Sequence, residues 1–347
     1  MRNMDKVRTT KSVVAVFGAT GHTGRFVIAE LMRRGVTPVA IARDAAALAE
    51  ATFPEPDVLR RHATIDDAAS LDRALHGAQA AINCAGPFID TADAVASAAL
   101  RARIHYLDVC AEQGSAEKTL EKFDEPARQA GVAVVPSMAF YGGLPDLMAT
   151  AALGDWAAVD SIEIMIGLDS WYPTRGTRIT VDRKAVGNLA ITGGRLAPAP
   201  TPPAQKRWNF GDPLGDQAVI EVPFSEAILI SRHMKTGELH NYLSQLAVDD
   251  VLDPATPTPK ATDETGRSNQ HFVVDVVVTR GDERRRATVR GRDIYAISAP
   301  LVCEAVERLL VGKFSATGAH APGEIFDAGD ILAALGPDNS TFEVFAA

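Results

Sequence analysis

The sequence predicts an α/β fold: a Rossmann-type, doubly wound parallel sheet joined to a second α+β domain built on a mostly antiparallel sheet. Three observations predict it. Apolar runs alternate with amphipathic helical patterns over residues 12–136, and a glycine-punctuated turn follows the first apolar run. Beyond residue 150, long apolar strands succeed one another with few helices between them. The 347 residues suit two such domains.

The first strand, turn and helix occupy residues 12–35. Gly18 lets the chain leave the strand sharply, Gly21 allows a diphosphate to approach the backbone, and Gly24 lets the helix pack close to the sheet. The spacing is G-x-x-G-x-x-G, and the helix N-terminus behind it attracts an anion. We therefore predict a dinucleotide site whose turn also includes the side-chain donors Thr20, His22 and Thr23.

The next units repeat the alternation of strand and helix. The predicted strands are 37–43, 57–65, 79–86, 105–109 and 131–136, and the helices between them are 44–52, 66–77, 94–103 and 115–131. Strands that alternate with helices in this way form a parallel sheet with helices on both faces.

The pattern changes after residue 150. Predicted strands lie at 161–169, 178–183, 221–233, 269–280 and 284–293, with proline-rich irregular loops at 196–205 and 252–266. Helices at 293–310 and 323–336 are expected to return to the first domain. The predicted organisation is a disordered tail at 1–11, a dinucleotide-binding domain at 12–149 plus 294–347, and a β-rich substrate or dimerisation domain at 150–293.

Composition narrows the class of protein. The net charge of −9 argues against nucleic acid or an anionic membrane as the main partner. Three scattered cysteines indicate neither a disulfide framework nor a metal site. The leader lacks an apolar segment and no stretch approaches 18 apolar residues, so we expect no signal peptide, no membrane span and a cytoplasmic location.

Several stretches together resemble the saccharopine dehydrogenase-like reductases, including the trans-acting enoyl reductase branch. They are VFGATGHTG, AINCAGPF, IHYLDVCAE, GGLPDL and the tail GRDIYAISAPLVCEAVERLL with PGEIFD. The resemblance implies an NADP(H)-dependent oxidoreductase with its site between a Rossmann-type and a β-rich domain. Where the family often has Ser-Gly-Glu or Thr-Gly-Glu after its aspartate, this chain has Val109, Cys110 and Ala111 before Glu112.

Two groups are expected to contact the cofactor beyond the glycine turn. Arg43 ends the second strand, where arginine suits a 2′-phosphate and so favours NADP(H) over NAD(H). The alternative is a solvated Arg43 with Asp44 capping the next helix. The loop after the fourth strand borders the cofactor by the carboxyl-end rule, and comprises Asn83, Cys84, Ala85, Gly86 and Pro87.

Three residues are candidates for catalysis. Tyr141 follows the sixth strand, and its hydroxyl can supply the proton that accompanies hydride transfer. Alternatively, Tyr141 only packs under the hinge between the domains that Gly142, Gly143 and Pro145 predict. Asp108 ends the fifth strand on the same side as Tyr106, where it either orients substrate or caps the following helix. Glu112 is carried over from the resemblance.

The substrate is expected to meet residues of both domains. Phe88 ends the cofactor loop, and arginines such as Arg175 and Arg178 can bind a carboxylate or phosphate, although charged clusters on strand edges are usually solvated. His233, read as a strand residue, is either an acid or base or a packing residue.

These observations predict an NADP(H)-dependent oxidoreductase that transfers a hydride to or from a C=N, C=C or C=O group of a small molecule. No Tyr-x-x-x-Lys or Ser/His/Asp arrangement is evident, which leaves a cofactor-binding sensor without turnover as the alternative. A homodimer through the exposed sheet is a further prediction.

Overall fold

The structure is a computed structural model that describes residues 12–54, 58–183, 188–312, 316–336 and 340–346. The predicted disordered tail at 1–11 lies outside these residues. The first part of the described chain runs β1 (Val13–Phe17), α1 (His22–Arg33), β2 (Thr37–Ala42), α2 (Ala45–Glu50), β3 (Leu59–His62), α3 (Ala68–Leu75), β4 (Ala80–Asn83), α4 (Phe88–Ala102), β5 (His105–Asp108), α5 (Gln113–Ala130), β6 (Ala133–Val135) and α6 (Gly143–Leu153).

Strands predominate in the middle part of the described chain, and its last part contains both helices and strands. The order is β7 (Val159–Leu168), α7 (Arg175–Asp182), β8 (Leu189–Thr192), β9 (Arg195–Pro198), β10 (Gln205–Asn209), β11 (Asp216–Glu221), α8 (Glu226–Ser231), β12 (Thr236–Ser244), α9 (Gln245–Leu252), β13 (His271–Arg280), β14 (Glu283–Arg292), α10 (Ser298–Leu310), β15 (Gly318–Ala319), α11 (Pro322–Ile325), α12 (Ala328–Ala334) and β16 (Ser340–Ala346).

The first sheet is the predicted Rossmann-type sheet. Within the described chain it has seven strands, in the order β15-β6-β5-β4-β1-β2-β3. All its pairings are parallel. Val14 and Val16 of β1 face one core cluster, while Ala15 and Phe17 face the other, so helices cover both faces. The strand order reverses between β1 and β4, and the carboxyl ends there form the crevice in which such sheets bind ligands.

The second sheet is mostly antiparallel, as predicted. Its strands follow the order β10-β11-β12-β7-β13-β14-β16, and the hairpin of β8 and β9 joins it at β12. Among the pairings of this second sheet within the described residues, only that of β12 with β7 is parallel. Helix α6 leads out of the first sheet and packs on β13 and β14, so one continuous apolar cluster links the two domains.

Two segments predicted as strands contain helix instead. Residues 178–183 lie in or directly after α7, which starts behind the N-cap Thr174, whose hydroxyl accepts from the N–H of Thr177. The predicted strand 221–233 is wrong beyond Glu221, because α8 follows and most of its residues are buried. The short apolar run of α8 has the same pattern as a buried strand, and periodicity cannot separate the two.

The C-terminal residues divide between the two sheets. Helix α10 packs on α1, and β15 extends the first sheet beside β6, as expected of chain that returns to the first domain. The last strand, β16, instead pairs with β14 at the edge of the second sheet. The sequence-based assignment of the whole of 294–347 to the first domain is therefore wrong for 340–346.

A nearly buried ion cluster fastens α1 to α10. Arg34 donates to Glu30 at 2.6 Å, to Glu304 at 2.6 Å and to Glu307 at 2.5 Å, and its side chain is 10% exposed. Without the guanidinium, three carboxylates would remain close together and poorly solvated.

We expect Arg34→Ala to lower the free energy of unfolding by about 2 kcal/mol, because the substitution removes the cation that three neighbouring carboxylates share, although Glu30 keeps Arg33 and Glu304 keeps Arg308. Arg33→Ala is the control, because Arg33 pairs with the same Glu30 but is 64% exposed, and its loss should cost less than about 0.5 kcal/mol. Urea denaturation measures both changes. Equal effects of the two substitutions would contradict the importance of the buried cluster.

Candidate functional site

The glycine turn after β1 is a tightly packed cradle. Gly18 has φ +82°, and a Cβ there would lie 2.9 Å from the Cβ of Ala85. A Cβ on Gly24 would lie only 2.2 Å from the carbonyl oxygen of Gly18. The N–H of Gly21 donates to that same oxygen at 3.0 Å. Glycine at these positions therefore holds α1 against the end of β1 and keeps the crevice clear of side chains.

His22, the first residue of α1, presents an unpaired group beside this cradle. Its ring contacts Phe26 and Tyr295 edge to face, with centroid distances of 5.2 and 5.3 Å. Its Nε2 is buried without a hydrogen-bond partner among the described residues. Burial lowers the pKa of His22, although the charge of Asp293 opposes the shift. The orphaned nitrogen and the free amides of the first helical turn fit the diphosphate of a dinucleotide.

The predicted 2′-phosphate residue lies at the same edge of the sheet. Arg43 directly follows β2 and is exposed, and in the described part of the chain no carboxylate pairs with its guanidinium. Asp44 caps α2, where its carboxylate accepts from the N–H of Ala47 at 2.9 Å. The capping alternative is thus correct for Asp44, while the side chain of Arg43 stays available for a phosphate.

Hydrogen bonds to its own residues and to the end of β1 hold the loop after β4 in place. The amide of Asn83, fully buried, accepts from the N–H of Ala85 at 3.0 Å and donates to Thr91 at 3.1 Å. The N–H of Cys84 donates to the carbonyl of Phe17 at 2.8 Å, which joins this loop to the end of β1. Burial raises the pKa of the Cys84 thiol, which fits a packing residue. The loop continues, partly exposed, through Gly86, Pro87 and Phe88.

The carboxylate of Glu112 fixes the end of this loop. It accepts from the N–H of Phe88 at 3.2 Å and of Ile89 at 3.1 Å, the first residues of α4, and from the hydroxyl of Thr180 at 3.2 Å. Burial raises the pKa of Glu112, and these hydrogen bonds offset part of the shift. The geometry is that of an anchor at a helix N-terminus, and a catalytic role stays a prediction.

Asp108 is likewise engaged by neighbouring groups. It is fully buried and accepts from the N–H of Ser137 at 2.7 Å, the N–H of Cys110 at 3.1 Å and the hydroxyl of Tyr106 at 2.9 Å. Tyr106 and Asp108 therefore share one side of β5, as the alternation predicts. Burial raises the pKa of Asp108. The predicted alternative of a cap on α5 is wrong, because Glu112 occupies that N-cap position.

Helix α7 of the second domain reaches across to the cofactor loop, and we call it the roof helix. Its Thr180 donates to Glu112, and Arg183 at its C-terminal end forms an ion pair with Asp90 of α4. A Cβ on Gly86 would lie 3.9 Å from the Thr180 hydroxyl. The roof helix therefore lies against the carboxyl end of β4, where a nicotinamide ring is expected.

A row of aromatic side chains leads from the dinucleotide turn into the space between the domains. Tyr295, in contact with His22, accepts at 2.9 Å from the indole N–H of Trp171. Trp171 lies 5.4 Å from the ring of Tyr141, which lies 4.2 Å from that of Phe224. Among the described residues the Tyr141 hydroxyl, although buried, has no hydrogen-bond partner. Burial raises the pKa of Tyr141 well above its ordinary value, so the phenol stays protonated.

A buried carboxyl group fixes the turn beside Tyr141. Gly142 has φ +93°, and its N–H donates to Glu226 of α8 at 2.7 Å. The other oxygen of Glu226 accepts from Asn241 at 3.2 Å, and Glu226 is fully buried. Burial raises the pKa of Glu226 to about 7. A carboxyl group with a pKa near neutrality therefore connects the turn after β6 with α8 and β12 of the second domain.

This raised pKa predicts a pH dependence of stability. Because the folded-state pKa exceeds the unfolded one, Glu226 contributes stability that is complete below about pH 4.5 and lost as the pH rises through about 7. Between pH 5 and 8, the wild type should lose about 2 kcal/mol more unfolding free energy than Glu226→Gln, which does not titrate. Urea denaturation of both proteins at the two pH values measures this difference. An equal loss of unfolding free energy in the wild type and in Glu226→Gln would contradict it.

The predicted substrate arginines lie on the roof helix rather than on a strand edge. Arg178 donates to the carbonyl groups of Asp253 at 3.2 Å and Thr256 at 2.6 Å, so it holds the proline-rich loop. Arg175 is exposed at the start of the roof helix. Lys184, which follows these arginines in the same basic stretch of the sequence, lies outside the described residues. A substrate contact by Arg175 or Arg178 stays a prediction.

His233 follows α8 in a turn, so its prediction as a strand residue is wrong. Its Nε2 pairs with the buried Asp146 of α6 at 2.7 Å, and the other oxygen of Asp146 accepts from the N–H of Gly323 at 2.7 Å. Burial lowers the pKa of His233, but the charge of Asp146, the hydrogen bond to it and the charge of Glu324 together outweigh burial, so the net shift is upward. This pair ties α6, the end of α8 and α11 together.

Sequence reasoning missed several residues that the structure brings to the crevice. A charged residue inside an apolar run was a usable signal for Glu226, since such a residue needs buried partners. Nothing in the sequence distinguished the others from ordinary packing residues. The residues missed are Trp171, Thr180, Phe224, Glu226 and Tyr295.

The described residues contain neither a metal-binding cluster nor a helix suited to span a membrane. No group of three or more His, Cys, Asp or Glu side chains there is arranged to hold a metal ion. None of the helices in that part of the chain combines the length and apolar character needed to cross a membrane.

Comparison with known proteins agrees with this geometry. The family described as the saccharopine dehydrogenase NADP binding domain matches residues 14–135, which hold the glycine turn and β1 to β6. The first domain is therefore similar to the NADP binding domain of saccharopine dehydrogenases. The match supports NADP(H) as the cofactor and an oxidoreductase as the class of protein. No curated protein matches the chain.

One solved structure extends the likeness to the second domain. The apo saccharopine dehydrogenase (L-Glu forming) of Saccharomyces cerevisiae superposes with a TM-score of 0.68 at 13% identity, over 97% of this chain and 100% of that one. The chain therefore has the saccharopine dehydrogenase-like fold. The Citrobacter sp. triphenylmethane reductase complexed with NADP(H) aligns at 23% identity over 38% of this chain and 49% of that one, with a TM-score of 0.29.

Proposed function

We propose that the protein transfers a hydride between NADP(H) and a C=N, C=C or C=O group of a small molecule held between the two domains. The observation that carries the proposal is the buried hydroxyl of Tyr141, which has no hydrogen-bond partner among the described residues and is linked through Trp171 and Tyr295 to the dinucleotide turn. A buried polar group without a partner costs about 1–3 kcal/mol, which a functional contact would justify.

Each group in the crevice has a distinct role in this proposal. The glycine turn and His22 hold the diphosphate, and Arg43 holds the 2′-phosphate. NADPH bound in the crevice would supply a hydride. The Tyr141 hydroxyl would donate a proton to the atom beside the carbon that is reduced, and the phenolate left behind would take a proton from water once the product has gone. In the reverse direction the hydroxyl would first lose its proton to water, and the phenolate would then accept the proton of the substrate.

The surroundings of Tyr141 suit this role. Trp171 and Phe224 cover its ring and keep water from the hydroxyl, which strengthens a hydrogen bond to substrate. Glu226 holds the neighbouring N–H of Gly142 and so acts as a positioning residue for the Tyr141 turn. Asp108 and Glu112 already accept several hydrogen bonds each, which favours supporting roles for both.

A cofactor sensor without turnover is the second candidate, and the same engagement of Asp108 and Glu112 favours it. With both carboxylates committed to anchoring, Tyr141 is the remaining proton donor of the predicted catalytic set. If the Tyr141 hydroxyl contacts no substrate, binding of NADP(H) would serve only to order the crevice.

Turnover separates the two candidates. The protein is incubated with NADPH together with one class of candidate substrate at a time. The classes are imines formed in solution, enoyl thioesters and simple carbonyl compounds, and the loss of NADPH absorbance is followed in each case. An enzyme consumes NADPH with at least one class, and the rate falls in Tyr141→Phe. Binding of NADPH without consumption across all classes would favour the sensor.

A homodimer and a cytoplasmic location remain predictions from the sequence. Sedimentation equilibrium of the full chain tests the first, and fractionation of the producing cells tests the second. A monomer at all concentrations would remove the dimer from the account without changing the proposed chemistry.

A further inference from the structure

The end of β3 holds a side chain that the proposed function does not use. His62 lies in register beside Ala42, the last residue of β2, and its Nε2 donates to the carbonyl oxygen of Arg43 at 3.0 Å. Its ring is exposed, so the bond fixes the backbone of Arg43 without burying either side chain.

Other charged groups at this edge are already engaged. The guanidinium of Arg60 donates to carbonyl groups at the end of α2, including that of Ala49 at 2.6 Å. The guanidinium of Arg61 donates to carbonyl groups at the end of α3, including that of His76 at 2.6 Å. Asp44 faces its own helix. Among the described residues that end β2 or form β3, Arg43 is therefore the arginine whose guanidinium remains free.

Backbone hydrogen bonds near Arg43 also connect the end of β2 to the dinucleotide turn. The N–H groups of Gly18 and Ala19 donate to the carbonyl of Ile41 at 2.9 and 3.1 Å. Arg43 stands two residues beyond Ile41, and the bond from His62 fixes the direction in which the chain leaves the strand. A guanidinium on a backbone fixed at both points loses less conformational entropy when it binds a phosphate.

We propose that His62 is a positioning residue for cofactor choice: by holding the Arg43 backbone it presents the guanidinium to the adenosine 2′-phosphate of NADP(H). The proposal rests on the proposed cofactor site. NADH lacks this phosphate, so His62 should affect NADPH binding and leave NADH binding unchanged. Its effect should also depend on the presence of the Arg43 side chain.

A double-mutant cycle on cofactor binding tests this. NADPH and NADH are titrated by cofactor fluorescence into the wild type, His62→Ala, His62→Gln, Arg43→Ala and the Arg43→Ala/His62→Ala double variant. We expect His62→Ala to weaken NADPH binding about tenfold and to change NADH binding less than about twofold. His62→Gln, whose amide N–H can replace the imidazole donor, should recover most of the loss. In the Arg43→Ala background, His62→Ala should have no further effect.

The outcomes are separable. Equal weakening of NADPH and NADH by His62→Ala, or a full effect of His62→Ala without Arg43, would overturn the positioning role while leaving the cofactor site intact. If neither cofactor binds to the wild type, the cofactor site itself is wrong, and the proposed function fails with it.

Discussion

Replacing Gly24 with alanine is expected to abolish detectable NADPH binding and to destabilise the protein by about 3 kcal/mol. A Cβ at this position would lie 2.2 Å from the Gly18 carbonyl oxygen and 2.9 Å from the Cα of Ala19. Both are backbone atoms, so no flexible side chain can move aside. Helix α1 must shift from β1, and the amides of its first turn lose their positions around the diphosphate.

Gly114→Ala is the matched control for this substitution. Gly114 is also in the first turn of a helix, α5, but a Cβ there would meet nothing within 4 Å. Alanine at such a site is neutral or slightly stabilising. Thermal unfolding and NADPH titration of the two variants provide the comparison. Normal NADPH affinity in Gly24→Ala would contradict the assignment of the diphosphate to this turn.

The second large effect is expected of Tyr141→Phe. Turnover should fall about a hundredfold or more, the usual contribution of a positioned general acid, while NADPH affinity stays unchanged. Stability should stay the same or increase, because the change removes a buried hydroxyl that has no partner among the described residues. The rate of NADPH consumption with an active substrate and the urea denaturation midpoint measure the two effects.

Tyr106→Phe is the control, since it removes the same atom from another buried tyrosine. The Tyr106 hydroxyl donates to Asp108 at 2.9 Å, so its loss should destabilise the protein by about 1–2 kcal/mol. Turnover per folded molecule should change much less than in Tyr141→Phe. If Tyr141→Phe retains full turnover, the proton comes from another group, and the central role given to this hydroxyl is wrong.

The sequence predicted the first sheet well, because most of its strands are buried apolar runs separated by amphipathic helices; β3, which is largely exposed, is the exception. Apolar runs such as those at 37–43 and 79–86 gave strands that pair in the expected parallel way. Prediction from the sequence failed where an element is buried on all sides, because such an element shows no alternation of apolar and polar residues. The apolar run of α8 was taken for a strand, and β16 was assigned to the wrong domain, because pairing between distant strands leaves no local trace.

The site was predictable in part for a similar reason. Glycines at the turn and an arginine two residues past Ile41 follow from local chain geometry, so the sequence itself indicates them. Glu226, Trp171 and Tyr295 reach the crevice only through the packing of the second domain on the first. The sequence could not show that Asp108 and Glu112 accept several hydrogen bonds each, because their partners include groups on other elements.

The measurement that tests the central claim most directly is an equilibrium titration of the full wild-type chain with NADPH and, separately, with NADH. If the crevice at the ends of β1 and β4 is an NADP(H) site, NADPH binds saturably at concentrations on the order of micromolar, and about tenfold more tightly than NADH. Absence of saturable binding of both cofactors at millimolar concentrations would contradict the account.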